Sequence, residues 1–317
     1  MSTDTNEVDE EMSRCASCGI AANDDIKLRK CTACHLVRYC GVQCQKDHWK
    51  EHKKECRKRA AELRRDELLF KQPESTHIGD CPICCIPLPL DTMKATMMPC
   101  CSKLICIGCD FAYQTRLMED ESLPHVCPFC RHPVPESQAE GERIHMKRVQ
   151  ANDPVALRQI GIQRDEEGDH EAAFAYLTKA AKLGDALAHY RLSGLYGSLE
   201  GVEGDLDEDY KKEVYHLEQA AIGGHLGARY ELGFEEWDSD QFDRAIKHFI
   251  IGANLGHDES LKGVKEAYQD GLISKDDLGS ALHAHKAAVD AMKSPQREAA
   301  EADVEYCEFR QKLRSGR

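Results

Sequence analysis

The residues of this chain best suited to chemistry are its cysteines, which are spaced like zinc ligands. Of the 17 cysteines in 317 residues, 16 come before residue 131, mostly as Cys-x2-Cys pairs. Four thiolate or imidazole ligands hold one zinc ion tetrahedrally, so two runs of about eight ligands predict about four ions. The first run is Cys15, Cys18, Cys31, Cys34, Cys40, Cys44, His52 and Cys56; the second is Cys81, Cys84, Cys100, Cys101, Cys106, Cys109, Cys127 and Cys130.

The sequence favours metal binding over disulfides as the explanation of these pairs. Its first segment, MSTDTNEVDEEM, is acidic and polar and lacks the basic and apolar regions of a secretory signal. No apolar stretch approaches the roughly 20 residues that a membrane-spanning helix requires. We therefore expect a reducing compartment, cytoplasmic and/or nuclear, and no membrane association. Paired cysteines bind metal in such a compartment.

Charge is distributed unevenly along the chain. Residues 151–317 hold 20 Lys and Arg against 33 Asp and Glu. This half lacks the local positive charge that nucleic-acid binding needs, which argues against nucleic acid as a partner. The one basic stretch, 46–71, is interpreted as a solvated helix face, with contact to phosphate or to an acidic partner as the alternative.

Two ligands of the first run predict the element that positions them. His52 and Cys56 are four residues apart in DHWKEHKKEC, a segment without Pro or Gly. This spacing places both side chains on one face of a helix, where they can bind the same ion. Few apolar residues separate the ligands of this run. We therefore expect zinc binding, worth about 10–16 kcal/mol in comparable small domains, to supply the folding energy.

The first run resembles the MYND-type zinc finger. Its ligands follow C-x2-C-x12-C-x2-C-x5-C-x3-C-x7-H-x3-C, and YCGVQCQKDHWKEHKKEC matches the family's YC-xx-CQ-xxx-W-xx-H-xxx-C signature. The resemblance implies interleaved sites: Cys15, Cys18, Cys40 and Cys44 on one zinc, and Cys31, Cys34, His52 and Cys56 on the other. It also implies binding of short, often proline-containing peptides in a groove shaped by Gln45 and Trp49. The alternative for Trp49 is packing against the adjacent zinc loop. Some MYND proteins are lysine methyltransferases, but nothing downstream resembles their SET motifs.

The second run resembles a RING finger that departs from the family at one site. CPIC begins it, a Cys-x2-Cys pair lies in its middle and CPFCR ends it. The resemblance implies that the first and third pairs, Cys81, Cys84, Cys106 and Cys109, share one zinc. At the other site Lys103 stands where the family has His or Cys. Two ligand sets are possible at this site. In the first, Cys100 and Cys101 both bind the ion together with the last pair; we favour it because adjacent cysteines are otherwise hard to explain. In the second, one of them pairs with another residue such as His125. Cys85 is interpreted as a spare thiol.

RING fingers bring a ubiquitin-charged conjugating enzyme to a substrate, and their zinc ions are structural. Three residues match the family's docking surface: Ile83 in the first pair, Pro128 in the last pair, and Arg131 directly after it. A planar guanidinium with several donors suits the bridging of two proteins. The alternative for Arg131 is an ordinary surface charge. The bulky aromatic residue that often precedes the last pair is absent from MEDESLPHV.

The acidic half contains internal repeats. Segments that begin at Tyr176, His216 and His248 align, and each carries a glycine eight residues later. A period of about 36 residues with helical composition indicates a solenoid of helix pairs. The AA-xx-G and A-xx-LG-xx-Y elements resemble Sel-type repeats, which implies a scaffold whose concave surface holds partners. Asp153 followed by Pro154 is a strong helix start. The histidines of this half are interpreted as surface or packing residues.

The predicted fold is mostly α, with two small zinc-stabilised cross-brace modules followed by an α-solenoid of helix-pair repeats. Two functions are compatible with it: a RING-type ubiquitin ligase, or a non-catalytic scaffold whose parts only bind proteins. The expected organisation is an acidic disordered tail over 1–14, a MYND-type finger over 15–56, a basic helical linker over 57–76, a RING-type module over 77–135, a linker over 136–151, repeats over 152–295 and a C-terminal helix over 296–317.

Overall fold

The structure is a computed structural model that describes residues 14–198 and 206–315. The predicted acidic tail lies outside these residues except for Arg14. Thirteen α-helices and four short strands are present in the described part of the chain, so the predicted mostly α fold is confirmed. None of the described helices is both long enough and apolar enough to cross a bilayer. The chain divides into two compact units, one ending at Lys71 and one beginning at Gln72.

The first unit is built around its candidate ligands. Strands β1 (Arg29–Lys30) and β2 (Arg38–Tyr39) pair antiparallel, and helix α1 (Val42–Leu69) follows. Its core consists of cysteines with Tyr39, and the apolar residues Leu28 and Val37 pack against it. The predicted helix therefore exists, and it continues through most of the segment expected to be a basic linker.

The second unit begins with a module of similar construction, which we call the second zinc module (residues 77–135). A 3-10 turn (Thr92–Lys94) leads into β3 (Ala95–Met98), which pairs antiparallel with β4 (Lys103–Cys106). Helix α2 (Ile107–Glu119) starts directly after β4. The core of this module combines thiols with Leu88, Ala95 and Ile105, so it contains more apolar side chains than the core of the first unit.

Helices packed in consecutive pairs form the rest of the second unit, as the repeat period predicted. A helix also occupies the segment expected to be a linker. The bounds are α3 (Gln138–Gln150), α4 (Pro154–Glu166), α5 (His170–Lys182), α6 (Ala186–Gly197), α7 (Leu206–Ile222), α8 (Leu226–Asp238), α9 (Phe242–Asn254), α10 (Asp258–Gln269) and α11 (Lys275–Ala291).

The turns between repeats follow from the repeated glycines. Gly184, Gly224 and Gly256 have φ of +88°, +84° and +88°, a left-handed conformation that glycine adopts without steric cost and that commonly ends a helix. The next helix starts immediately, and its cap is a side chain that accepts a backbone N–H, as Asp185 does from Ala188. The repeated glycines therefore mark where these helices end.

Close packing inside the repeats depends on other glycines. Phe249 of α9 lies between Gly233 and Gly263, and a Cβ on either glycine would come within 2.7 Å of its ring. The histidines of the repeats divide between the surface and the packed interior. His248 is fully buried and His225 is nearly so.

The C-terminal segment folds back onto the second zinc module. It forms two helices, α12 (Pro295–Ala302) and α13 (Val304–Ser315), where the sequence predicted one. Asp303 separates them because its carboxylate caps the new helix by accepting the backbone N–H of Tyr306 at 2.8 Å. The Tyr306 hydroxyl then donates to Asp110 of α2 at 2.8 Å, and Arg310 donates to the carbonyl of Ala95 at 3.1 Å.

The start of the second zinc module and the segment before it are tied to the repeats. The backbone N–H of His77 donates to the carbonyl of Gly224 at 3.1 Å, and the His77 ring lies 4.3 Å from that of His225. Further back, the Gln72 side-chain oxygen accepts from Asn254 at 3.1 Å. The second zinc module, the repeats and the C-terminal helices therefore form one unit, although the sequence suggested separate domains.

Candidate zinc centres

The structure gathers the sixteen predicted ligands into four groups of four, and within each group all ligand atoms lie within 4.8 Å of one another. Each group has the chemistry that zinc prefers, four thiolates or three thiolates and an imidazole. The groups are Cys15, Cys18, Cys40 and Cys44; Cys31, Cys34, His52 and Cys56; Cys81, Cys84, Cys106 and Cys109; and Cys100, Cys101, Cys127 and Cys130.

The separations within the groups fit a metal ion. Sulfurs bonded to one tetrahedral zinc at about 2.3 Å each would lie about 3.8 Å apart. The Sγ atoms of Cys31 and Cys56 are 3.7 Å apart, and those of Cys84 and Cys106 are 3.8 Å apart. A disulfide would need about 2.05 Å between sulfurs. The residues therefore suit four zinc ions, as predicted from the paired spacing.

One turn geometry recurs at four of the Cys-x2-Cys pairs. At each pair the residue four positions after the first cysteine has positive φ, and its N–H donates back to the carbonyl of that cysteine. The first cysteine's own N–H donates to a carbonyl five or six residues later, which closes the loop around the thiolates. The residues with positive φ are Gly19, His35, Cys85 and Arg131, at +72°, +60°, +56° and +64°.

In the first unit the helix supplies ligands to both groups. Cys44 lies in its first turn, and His52 and Cys56 lie further along and are buried. His52 and Cys56 belong to one group, as their i, i+4 spacing predicted. The His52 Nε2 atom is 3.2 Å from the Cys34 Sγ atom. Gln45 donates from its amide to the Cys31 Sγ atom at 3.9 Å. Gln45 therefore contacts a ligand thiol, which its proposed role in the peptide groove did not anticipate.

Ionisation of one thiol per group is favoured by its neighbours. In the second zinc module a hydrogen bond from the Cys106 thiol lowers the pKa of Cys81 to about 4, although burial alone would raise it. The backbone N–H of Cys106 also donates to the Cys81 sulfur, at 3.5 Å. Donors that point at a sulfur stabilise the thiolate, which is the form that binds zinc.

The fourth group contains both adjacent cysteines. The turn between β3 and β4 positions Cys100 and Cys101, whose Sγ atoms lie 3.4 Å and 4.0 Å from those of the last pair. Ser102 makes this turn possible with φ of +56° and an N–H that donates to the carbonyl of Met98 at 2.8 Å. His125 is exposed and lies outside the group. The favoured alternative, in which both cysteines take part, is the one that the geometry supports.

A residue that the sequence did not single out lies against the third group. Arg297 of α12 is 2% exposed. Its guanidinium lies 3.7 Å from the Cys84 Sγ atom and donates to the carbonyls of Ile86 at 3.2 Å and Pro87 at 2.7 Å. More than 200 residues separate Arg297 from these partners, so no local spacing could have indicated the contact.

The residues proposed for partner binding are mostly accessible. Trp49 is 40% exposed and Ile83 is 41% exposed. Arg131 is exposed and Pro128 is half-buried. Trp49 therefore has accessible surface for a partner. The roles of these residues stay predictions.

Comparison with known proteins identifies the first module. Residues 15–56 match the family model of the MYND finger, so the resemblance stated for this segment is confirmed. The chain is also 43% identical over 61 residues to the histone-lysine N-methyltransferase ASHR1 of Arabidopsis thaliana. That match covers 19% of this chain and 12% of the relative. The MYND finger is a zinc-binding protein-interaction domain, and the chain therefore contains a module for binding proteins.

Proposed function

We propose that this protein is a zinc-dependent adaptor that docks a ubiquitin-conjugating enzyme on its second zinc module and acts as a ubiquitin ligase. The observation that carries the proposal is the cross-brace grouping of this module, in which the first and third cysteine pairs form one group and the second and fourth the other. That interleaving is the arrangement that the resemblance to RING fingers implies. The grouping of Cys100 and Cys101 with Cys127 and Cys130 supports a complete second site in spite of Lys103.

The proposed docking surface lies on the first and last turns of the second zinc module. Ile83 and Arg131 belong to two copies of the same turn, and both are exposed. The positive φ of Arg131 is the conformation that this turn requires, and its side chain is exposed to solvent. Arginine is one of the residue types enriched among those that dominate the binding energy of interfaces.

Discharge of ubiquitin from a panel of charged conjugating enzymes tests the ligase. We expect discharge that I83A and R131A each reduce by at least about tenfold, since loss of an interface anchor costs on the order of 2 kcal/mol. Matched controls are L272A and R164A, which truncate exposed residues of the repeats. Native mass spectrometry would first establish that each protein holds four zinc ions.

A non-catalytic scaffold is the second candidate, and the absent aromatic residue before Cys127 favours it. Lack of discharge across the whole panel, from protein that holds four zinc ions, would establish the scaffold and reject the ligase. Both functions include peptide binding by the MYND finger. We expect W49A to weaken binding of a proline-containing peptide about tenfold or more, whereas L68A, an exposed change on the same helix, should leave it unchanged.

A further inference from the structure

A cleft of about 900 Å³ lies inside the second unit, between the second zinc module and the repeats. We call it the module–repeat cleft. Its volume falls in the range of about 300–1,000 Å³ that is typical of ligand sites. The β3–β4 hairpin and the residues around Ile78 form one wall, and the ends of helices α4 to α7 form the other.

The walls of the cleft are largely apolar. The zinc-module side contributes Leu88, Met97 and Leu104, and the repeat side contributes Val155 and Leu187. Apolar walls with a few fixed polar groups are the usual composition of a binding site, because burial supplies affinity and the polar groups set orientation.

Arg158 is the polar group best placed to select a ligand. It lines the cleft with its side chain 12% exposed. Its Nε atom donates to the Asp185 carboxylate at 3.0 Å, and the other oxygen of Asp185 accepts the N–H of Ala188 at 2.8 Å. Among the described residues, the two terminal nitrogens of Arg158 have no hydrogen-bond partner. The hydrogen bond at Nε fixes the orientation of the guanidinium, and the two terminal nitrogens stay available. They can bind a carboxylate through two parallel hydrogen bonds.

Lys103 adds a second cation to the same cleft. It is exposed at the start of β4, and no residue in the described part of the chain forms an ion pair with it. It is also the residue that stands where the RING pattern has a zinc ligand, and it lies outside the fourth group. Asp80 and Asp185 line the cleft as well. Their charges would oppose a doubly charged phosphate more strongly than a single carboxylate.

We propose that the module–repeat cleft binds an extended peptide segment in which one Asp or Glu side chain is flanked by apolar residues. The carboxylate lies at Arg158 and Lys103, and the apolar side chains pack against the walls. This inference goes beyond the proposed function, because peptide binding here requires no conjugating enzyme. If the ligase proposal also holds, the cleft places a bound substrate beside the second zinc module.

Fluorescence anisotropy with peptide pools tests the proposal on the full-length, zinc-loaded protein. The probes are three labelled heptapeptide pools with mixed apolar residues at the flanking positions and Glu, Gln or Lys at the centre. We expect the Glu pool to bind about tenfold more tightly than the Gln pool, the size of one charge-assisted contact. The preference should decrease at high salt because exposed Lys103 is screened.

Two variants locate the binding, and a third serves as control. R158Q should abolish the preference for Glu, and K103E, an exposed change that leaves the core intact, should reduce it several-fold. R164Q alters an exposed arginine on the same helix as Arg158 and should change nothing. Equal binding of the Glu and Gln pools, no binding of any pool, or a Glu preference that survives both R158Q and K103E would each overturn the proposal. None of these readouts uses ubiquitin, so failure here and failure of the ligase are separate results.

Discussion

The two zinc-ligand runs share one ligand chemistry and one recurring turn, yet they are supported differently. In the first unit the core consists of thiols, one tyrosine and a few apolar residues next to a single long helix. In the second, the thiols lie beside apolar side chains of β3 and β4, and α12 and α13 pack against the module. Metal is therefore the main source of order in the first unit, whereas in the second it adds to ordinary packing.

Of the changes considered, removal of zinc should produce the largest difference between the two units. With a chelator we expect the first unit to unfold, because zinc binding of about 10–16 kcal/mol is most of its folding energy. The repeats should stay helical because their buried leucines and alanines need no metal. Hydrogen exchange would show loss of protection in α1 and retention in α4 to α9.

Equal loss of protection in both units would contradict this comparison. As a control, readdition of zinc should restore protection in α1. A matched variant, H52A, removes one buried ligand of the first unit and should unfold α1 even with zinc present, without affecting the repeats.

Removal of Arg297 should weaken the support of the second zinc module. R297M keeps much of the volume but leaves the carbonyls of Ile86 and Pro87 without this donor. A buried acceptor left without a hydrogen-bond partner typically costs about 1–3 kcal/mol. We expect lower stability of the second unit by chemical denaturation and faster zinc release from it, measured with a chromogenic chelator.

Zinc release from the first unit is the internal control for this variant, since Arg297 belongs to the other unit. R164M, at an exposed site, is the control for loss of an arginine. An unchanged release rate in R297M would mean that α12 packs on the module without stabilising it.

The fold was largely predictable because local sequence patterns indicate it. The packing of α12 and α13 against the second zinc module could not be predicted. Ligand spacing predicts the ligands and the number of sites, the resemblance to the two families implies their grouping, and the repeated glycines predict where successive helices end. The contacts of Arg297, Tyr306 and Arg310 join residues about 200 positions apart, and no pattern in α12 or α13 marks them. The helix over 138–150 was missed because its few apolar residues resemble those of a linker.

A substitution at Gly108 tests the packing of α12 against the second zinc module at a single contact. A Cβ at this position of α2 would lie 2.8 Å from the backbone nitrogen of Arg297, and backbone cannot move aside cheaply. We expect G108A to destabilise the second unit by about 1–3 kcal/mol, as overpacking usually does. The matched control is G194A in α6, where nothing lies within 4 Å of the added methyl. That change should be neutral or stabilising by up to about 1 kcal/mol, since alanine is the better helix former. The measurement is the melting temperature of each variant by thermal unfolding. Equal melting temperatures would show that α12 can shift to accommodate the added methyl group.

The smallest expected effect concerns charge within the repeats and should leave the first unit unaffected. Burial raises the pKa of Glu235 to about 7, with added repulsion from Glu213, Glu231 and Glu236. Because the folded pKa lies above the unfolded value of about 4.3, the folded state binds more protons between these pH values, and stability falls as pH rises from about 4 to 7.

E235Q should therefore stabilise the second unit at pH 8 and have little effect at pH 5. Since Glu235 is partly solvated, we expect less than about 1 kcal/mol, measured by chemical denaturation at the two pH values. An equal increase in stability at pH 5 would mean that the effect of E235Q comes from packing and not from charge. An increase in the stability of the first unit would show that the two units are not independent, as the comparison assumes.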